Sequence, residues 1–388
     1  MIIKSILDND LYKFTMGKAV LAYKQNVPVR YVFSNRRPEG KFNKEFFIAF
    51  RQELENMKNL ALTKDEAEWF YNAHPFLGRQ YIEWLMNYRF DPSEITAELI
   101  EGELVIEING TWERTIYWEV PLMAMISELF FKHCDTDWTS DGYEERTKKK
   151  AIALRGIPVA DFGTRRRRSF DTQDLVVQTF VKNGEKFIGT SNVHLAHKHN
   201  LKAIGTMAHE WIMGISALEG LRHANRHALK IWSKVYNGDL GIALTDTFGT
   251  KVFWEDFDPY LSRLFDGVRH DSGDPMIFAE SVIKHYQDNR IDPNTRTIVF
   301  SDGLDTESVI QLWKALEGKI NRSFGVGTHL TNDVPGSKAL NMVIKLWSCN
   351  GVPVVKLSDI EAKQIGDSDA LRVANWTFQG RPLNEKTS

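Results

Sequence analysis

Apolar and polar residues in the first third of the chain follow two different periods. Residues 95–112 (ITAELIEGELVIEINGTW) alternate with a period of two around Glu101-Gly102, which predicts two strands joined by a tight turn. Residues 29–34 alternate in the same way and predict a further strand. Helical patterns cover residues 8–25 (with Asp8 or Asn9 as N-cap), 43–60, 63–73 and 118–133, the last apolar enough to be buried.

From about residue 157 short apolar runs end in small or polar loops, and helical stretches follow. The seven loops are ADFGT (160–164), IGTSN (188–192), IGTMAH (204–209), ALTDTF (243–248), VRHDSGD (268–274), VFSDGLD (299–305) and FGVGTHL (324–330). Each follows a predicted strand. Alternating strands and helices predict a parallel sheet, either a barrel or a doubly wound sheet, whose strand-end loops form the ligand site.

The pattern changes again after about residue 334. Residues 341–347 and 353–357 predict two strands around the turn Asn350-Gly351, which return to complete the N-terminal sheet. The polar tail that ends at Ser388 is expected to fray.

Composition narrows the class of protein. A chain of 388 residues suggests two domains or one large barrel with an attachment, and 43% hydrophobic residues are typical of a globular protein. A net charge of -2 disfavours a general attraction to nucleic acid or acidic membranes. Two cysteines without CxxC, a charged N-terminus and no apolar run of about 18 residues together predict a cytoplasmic protein.

The segment GTRRRR, residues 163–168, is suited to an anion because guanidinium groups bind phosphate bidentately. On a helix, successive residues turn by about 100°, so one or two of the four arginines can face a ligand. Arg165 lies nearest the strand end and is the predicted contact. Arg167 and Arg168 are expected on a solvated basic face.

Glycine-threonine pairs in three loops (GTSN, GTMAH and GVGTH) allow backbone amides and a hydroxyl to approach a sugar phosphate. Acids in neighbouring loops, Asp246 among them, suit Mg²⁺ or ribose hydroxyls, whereas the positions of Asp274 and Asp305 favour helix capping. Neither G-x-x-x-x-G-K-[ST] nor a clear GxGxxG follows an early strand, so the common mononucleotide motifs are absent.

His209 follows one of these loops, in MAHEW. A zinc-protease HExxH would need histidine at position 213, where the chain has Met213. An imidazole at a strand-end loop titrates near neutral pH and can serve as a base or a nucleophile.

Ten segments follow one another along the chain in the order DNDLYKFTM, WEVPLMAMISE, DFGTRRR, GTSN, GTMAHEW, GIALTDTF, VRHDSGDP, VFSDGLD, FGVGTHLTND and NMVIKLWSCNG. In these segments and in their order the chain resembles bacterial-type nicotinate phosphoribosyltransferases, over nearly its whole length. The resemblance implies an irregular TIM-like α/β barrel of the type II phosphoribosyltransferases, residues 136–336. It also implies an N-terminal α+β domain, residues 1–135, completed by residues 337–388.

The implied reaction joins nicotinate to phosphoribosyl pyrophosphate, giving nicotinate mononucleotide and pyrophosphate in NAD salvage. ATP hydrolysis is coupled through a phosphorylated histidine, which would be His209, and Mg²⁺ accompanies ATP and phosphoribosyl pyrophosphate. By resemblance, Asp271 and Arg269 act beside His209, and Tyr12 stacks on the pyridine ring, in its own subunit or across a homodimer. Further implied substrate contacts are Phe162, Arg165, Ser191, Thr206, Asp246, Asp302, Gly303, Gly327 and Thr328.

Nicotinamide phosphoribosyltransferase is the nearest alternative. In that relative the position of Ser191 carries an aspartate, which would repel the carboxylate of nicotinate by about 4 kcal/mol at ~4 Å and an effective dielectric of ~20. Ser191 carries no charge and can donate a hydrogen bond, so nicotinate is favoured. Quinolinate phosphoribosyltransferases lack a matching GTMAHEW loop. A non-catalytic sugar-phosphate-binding barrel and a nucleic-acid binder are less consistent with the charged loops and with the net charge.

Overall fold

The computed structural model describes residues 1–36 and 41–379, in two β-sheets surrounded by helices. The strands are β1 (Pro28–Asn35), β2 (Ile95–Ile100), β3 (Glu103–Thr111), β4 (Val159–Asp161), β5 (Phe187–Thr190), β6 (Ile242–Leu244), β7 (Gly267–His270), β8 (Thr297–Phe300), β9 (Asn321–Val326), β10 (Met342–Cys349) and β11 (Val352–Pro353). Part of the tail that was expected to fray, residues 380–388, lies outside the described residues.

The helices combine the predicted segments with others between the strands. They are α1 (Leu11–Tyr23), α2 (Lys44–Asn56), α3 (Lys64–Ala73), α4 (Arg79–Asn87), α5 (Trp112–Thr115), α6 (Glu119–His133), α7 (Tyr143–Ala153), α8 (Phe170–Asn183), α9 (Val193–Lys198), α10 (His209–Glu219), α11 (Ala224–Tyr236), α12 (Thr250–Asp256), α13 (Pro259–Leu264), α14 (Pro275–Asp288), α15 (Thr306–Ala315), α16 (Thr328–Thr331) and α17 (Ser368–Gln379). Among the described residues, no helix is long and apolar enough to cross a membrane.

The first sheet is antiparallel, in the order β11-β10-β1-β3-β2. The predicted hairpin of β2 and β3 is confirmed, and its turn residues Glu101 and Gly102 both have positive φ, 49° and 82°, as a type I′ turn requires. β10 pairs with β1, so a strand from the C-terminal part of the chain completes the N-terminal sheet as predicted.

The second C-terminal strand was predicted too long. β11 contains two residues, and the N–H of Val354 still donates to the carbonyl of Trp347 in β10 at 3.0 Å, but residues 355–357 leave the sheet. The backbone N–H of Leu357 donates to the carbonyl of Thr247 at 2.8 Å, so this segment covers the loop after β6 instead of extending the sheet.

The second sheet is parallel, in the order β5-β4-β9-β8-β7-β6. Six of the seven predicted strands are present, and the prediction of a strand before GTMAH is wrong. There Ala203 makes an isolated parallel bridge to Thr190, and the hydroxyl of Thr206 donates to the carbonyl of Ile242 at 3.0 Å. These single contacts of irregular backbone therefore lie between β5 and β6, and the fold is mixed α/β with a parallel sheet.

Helix caps explain where several elements begin. Asp274 and Asp305 accept from backbone N–H groups at the starts of α14 and α15, as predicted. α1 starts later than expected, because Asp8 and Asn9 are fully buried and have other partners. Asp8 accepts two hydrogen bonds from Arg167, and Asn9 donates to the carbonyl of Tyr117.

Candidate active site

A cavity of about 1120 Å³ lies at the carboxyl ends of the parallel strands, where α1 and β10 of the antiparallel sheet meet them. Parallel strands bring their following loops to one edge, which explains why residues far apart in sequence converge here. Twelve of the thirteen predicted site residues line the cavity. They are Tyr12, Phe162, Arg165, Ser191, Thr206, His209, Arg269, Asp271, Asp302, Gly303, Gly327 and Thr328.

One part of the cavity has aromatic walls. Tyr12, in the first turn of α1, lines the cavity together with the strand-end loops of the same chain. A Cβ at Gly205 would lie 3.0 Å from the backbone nitrogen of Tyr12, and a Cβ at Gly325 would lie 2.3 Å from the ring of Phe162. The two glycines therefore permit the close approach that positions both rings.

Ser191 differs from expectation in its hydrogen bonding. Its hydroxyl donates to Oδ1 of Asp10 at 2.8 Å, and both residues line the cavity. A carboxyl group thus lies one hydrogen bond behind the uncharged position. Burial raises the pKa of Asp10, although Arg165 and hydrogen bonds from Thr164 and Ser191 oppose that rise. The hydroxyl proton of Ser191 is already engaged and is not free for a substrate carboxylate.

His209 is the first residue of α10 and is 4% exposed. Its Nε2 lies 2.9 Å from Oδ2 of Asp271 and 3.7 Å from Oδ1 of Asp246, and its Nδ1 lies 3.0 Å from Oγ1 of Thr247. Burial, and then the charge of Lys356, lower the pKa of His209 to about 4, so the ring is neutral at neutral pH.

Asp271, unlike the neutral His209, is ionised. Burial alone would raise its pKa, but Arg269, His209 and Lys356 together hold the pKa well below its ordinary value. Arg269 donates to Oδ1 of Asp271 at 3.3 Å, to Ser301 at 3.2 Å and to the carbonyl of Met207 at 3.1 Å. The predicted pair Arg269 and Asp271 is therefore a fixed, ionised unit beside the histidine.

Asp246 is the predicted residue that does not line the cavity. It is 1% exposed and lies behind His209, with Oδ2 accepting from Ser272 at 2.7 Å and facing Nζ of Lys356 at 3.4 Å. The reason is the segment around Lys356, which leaves the antiparallel sheet and covers the loop after β6. Asp246 thus acts on the histidine side and has no direct route to a ligand in the cavity.

The four consecutive arginines form two pairs, one at the cavity and one buried in the protein. Arg165 and Arg166 line the cavity, and Arg166 also donates to the carbonyl of Met342 at 2.8 Å. The expectation of a solvated face for Arg167 and Arg168 is wrong, since both are buried at 0% and 1% exposure. The run is a short 3₁₀ turn (Thr164–Arg166) followed by extended backbone, which directs the last two arginines into the protein.

Arg167 donates to both oxygens of Asp8, at 2.7 and 2.9 Å, and Arg168 donates to Ser337 at 3.0 Å. The guanidinium of Arg168 also lies 3.5 Å from the ring centroid of Phe131. These two arginines are structural anchors.

A buried chain of charges adjoins the cavity and was not predicted. Glu119 contacts Arg165 at 3.3 Å and Lys13 at 2.6 Å, and Lys13 also pairs with Glu210. Burial opposes ionisation of Glu119, yet Lys13, Lys345 and Arg165 lower its pKa to about 2. A glutamate in the first turn of a largely apolar helix was the signal in the sequence.

Lys345 also lines the cavity, from the middle of β10. Burial lowers its pKa to about 8, with Glu119 acting in the opposite direction. The signal in the sequence was a single lysine within the apolar strand NMVIKLW, which on one face of a sheet must find either solvent or an anion.

The loops predicted to bind the substrate phosphate also line the cavity. Gly303 has φ of 60°, a conformation that favours glycine, and it follows Asp302. Asp302 accepts from Nζ of Lys363 at 2.6 Å, and Lys363 also donates to the carbonyl of Asp271 at 3.1 Å. Gly327 and Thr328 lie where β9 ends and α16 begins.

A metal donor set is present in the same region. One donor atom from each of His209, Asp246 and Asp271 lies within 4.8 Å of the others. Lys356 and Arg269 already face these carboxylates, which reduces the attraction that the set would offer a cation.

Comparisons with known proteins show which family the chain is similar to. A model of the nicotinate phosphoribosyltransferase (NAPRTase) family matches residues 157–380, and a model of the NAPRTase N-terminal domain matches residues 7–127. Nicotinate phosphoribosyltransferases of Methanosarcina mazei and Methanosarcina acetivorans are 47% and 48% identical, and both alignments cover 99% of this chain and 100% of the relative. The crystal structure of nicotinate phosphoribosyltransferase from Porphyromonas gingivalis has a TM-score of 0.94 at 40% identity, covering 97% of this chain and 100% of that one.

Proposed function

The chain belongs to the nicotinate phosphoribosyltransferase family, enzymes of NAD biosynthesis, and we propose that it couples this reaction to ATP through a phosphate on Nε2 of His209. The substrates would be nicotinate, phosphoribosyl pyrophosphate and ATP, all bound in the cavity lined by the strand-end loops. The products would be nicotinate mononucleotide, pyrophosphate, ADP and phosphate.

The observation that carries this proposal is the orientation of His209. Nε2 faces the cavity side with Asp271, whereas Nδ1 faces the fully buried Thr247. The ring is neutral, so a nitrogen lone pair exists at neutral pH. His209 also opens an α-helix of eleven residues, and the N-terminus of a helix favours a nearby phosphate.

Sugar transfer needs positive charge near the leaving group. Displacement at the anomeric carbon develops a cationic sugar and a departing pyrophosphate, which preorganised cations stabilise. Arg165, Arg166 and Arg269 line the cavity and would take that role, and Asp302, which also lines it, would favour the developing sugar cation. Gly303, Gly327 and Thr328 would hold the 5-phosphate through backbone amides and a hydroxyl.

Mg²⁺ fits this site as a companion of the substrate phosphates. The cavity-lining Asp302 is the carboxylate that would help to hold it, because Mg²⁺ prefers oxygen ligands and usually keeps phosphate oxygens among them. When bound, the ion would neutralise charge on the departing pyrophosphate.

The proposal extends to the closure of the barrel and to the assembly of the protein. Residues 203–206 link β5 to β6 by single contacts, and we take this irregular link to close a TIM-like barrel. The assembly in this proposal is a homodimer, and Tyr12 lines the cavity of its own chain. The two cysteines, Cys134 and Cys349, are both free, which is consistent with the reducing cytoplasm.

Nicotinate is preferred over nicotinamide in this proposal. The uncharged Ser191 is bonded to Asp10 and Arg165 faces the same pocket, so a substrate carboxylate meets a guanidinium on the open side. Nicotinate should therefore turn over at far lower concentration than nicotinamide. Equal kcat/KM for the two substrates would reverse the assignment.

The experiment is an assay of nicotinate mononucleotide formation from nicotinate and phosphoribosyl pyrophosphate, with ATP, without ATP and with a non-hydrolysable ATP analogue. The proposal predicts that ATP accelerates product formation and that the analogue does not. His209→Asn should form product slowly and gain nothing from ATP. Equal rates with and without ATP in the wild type would contradict the coupling.

A further inference from the structure

We infer that Thr247 is a positioning residue whose hydroxyl lets His209 exchange the proton between its two ring nitrogens, and so exposes Nε2 for phosphoryl transfer. This inference rests on the proposed function, because it concerns how the same histidine becomes reactive. It assigns a role to a side chain that does not line the cavity.

The contact is direct and well fixed. Oγ1 of Thr247 lies 3.0 Å from Nδ1 of His209, and Thr247 is 0% exposed. Within the described part of the chain, this is the one hydrogen bond of that hydroxyl. The carbonyl of Thr247 accepts from the backbone N–H of Leu357 at 2.8 Å, so the C-terminal segment that carries Lys356 also holds Thr247 in place.

The neighbouring charges determine where the proton rests. Asp271, paired with Arg269, is ionised and can only accept, so the proton of the neutral ring lies on Nε2 and is donated to Oδ2 of Asp271. Oδ1 of Asp246 also faces Nε2 at 3.7 Å and has no hydrogen-bond partner among the described residues. Nδ1 then holds the lone pair and accepts from the hydroxyl of Thr247.

That resting tautomer cannot react at Nε2. Phosphoryl transfer needs the lone pair on Nε2 and the proton on Nδ1, a net shift of one proton across the ring with water as the relay. Nε2 then forms the N–P bond as the bond between the γ-phosphorus and the bridging oxygen breaks, and ADP leaves with the electron pair. The proton stays on Nδ1 throughout.

A hydroxyl is the side-chain group that serves both tautomers without moving a heavy atom. It donates to Nδ1 in the resting form, and after rotation about its C–O bond it accepts from Nδ1–H in the reactive form. Valine has the same shape as threonine but can do neither. In Thr247→Val the reactive tautomer would leave a buried N–H without a partner, which disfavours it.

The experiment compares Thr247→Val, Thr247→Ser and the wild type in full-length protein. Incubation with γ-labelled ATP measures the rate of phosphoenzyme formation, and steady-state assays give the KM for nicotinate and for phosphoribosyl pyrophosphate. We expect the labelling rate to fall roughly 10- to 100-fold in the valine variant with both KM values nearly unchanged. The serine variant should label at close to the wild-type rate. Wild-type labelling in the valine variant, or equal losses in both variants, would overturn the inference.

A second measurement separates this inference from the proposed phosphoenzyme. In protein labelled with [¹⁵N]histidine, the two ring nitrogens give distinct shifts for protonated and bare nitrogen, and His209→Asn identifies the signals. We expect a protonated Nε2 in the wild type and a changed Nδ1 shift in Thr247→Val. If the wild type takes no label, the phosphoenzyme proposal fails, and unchanged Nδ1 shifts in the valine variant would overturn the role of Thr247 independently.

Discussion

Nε2 of His209 lies 2.9 Å from Oδ2 of Asp271, although the two residues are 62 positions apart in the chain. The parallel sheet produces this contact, because Asp271 follows β7 and His209 starts α10 at the same edge. An ionised aspartate would normally favour a charged imidazole. Here burial and the nearby Lys356 outweigh that attraction and keep the ring neutral.

The first prediction concerns the charge of His209. Its pKa of about 4 lies below the ordinary 6.5, so the folded ring stays neutral from pH 8 to about 5 while an unfolded chain takes up a proton below pH 6.5. Stability is therefore lost as pH falls through this range, by about 3 kcal/mol from this residue once pH 4 is reached. Urea unfolding of His209→Asn at several pH values should show a shallower acid loss than the wild type.

His74 is a matched control for that measurement, because burial also lowers its pKa to about 4. His74→Gln should reduce the acid loss by a similar amount without affecting phosphoenzyme formation. A His209 ring that titrates near pH 6.5 by NMR would contradict the neutral assignment.

The second prediction concerns Lys345. Because its pKa is about 8 in the fold, its positive charge is lost as pH rises through 8. The KM for the anionic substrates should therefore rise between about pH 7.5 and pH 9 in the wild type. Lys345→Arg keeps the charge at every pH and should flatten this dependence, whereas an unchanged profile in that variant would assign the effect to another group.

The third prediction separates the arginines by function. Arg167→Ala leaves Asp8 as an unpaired buried carboxylate and should cost about 3–5 kcal/mol of unfolding free energy, measured in urea. Arg165→Ala should change the free energy of unfolding much less and mainly raise the KM for substrate. Comparable destabilisation by both changes would show that Arg165 is also a structural anchor.

The fourth prediction tests the pocket around Ser191. Ser191→Asp would put a second carboxyl within hydrogen-bond distance of Asp10 and a negative charge beside the nicotinate carboxylate. The kcat/KM for nicotinate should fall at least 100-fold, since repulsion at ~4 Å is worth several kcal/mol. Ser191→Asn is the neutral control and should lose much less. If kcat/KM for nicotinate fell less in Ser191→Asp than in Ser191→Asn, charge repulsion would not explain the loss.

The strand-end loops could be predicted because parallel strands impose a simple rule on position, and the family resemblance then implied the twelve site residues that line the cavity. The burial of Arg167 and Arg168 could not be predicted, since it depends on Asp8 and Ser337, which are distant in sequence. The prediction of a strand before GTMAH was wrong for a related reason. Its apolar pattern suits a strand, but Gly205 packs on Tyr12 and Thr206 bonds to Ile242.

Asp246 shows a further limit of sequence reasoning. Its position after β6 predicts a residue facing the cavity, as for Asp271 and Asp302. Residues 354–358 cover that loop, and the pairing of Lys356 with Asp246 is a tertiary contact between segments more than a hundred residues apart. The local pattern of apolar and polar residues around Asp246 does not show that a distant segment of the chain buries it.

Labelling with γ-labelled ATP tests the central claim most directly. Wild-type protein should acquire an acid-labile, base-stable phosphate, and His209→Asn, a variant of similar size without a nucleophilic ring, should acquire none. An acid-labile phosphate of equal amount on His209→Asn, or its absence from the wild type under conditions in which ATP accelerates product formation, would contradict the account.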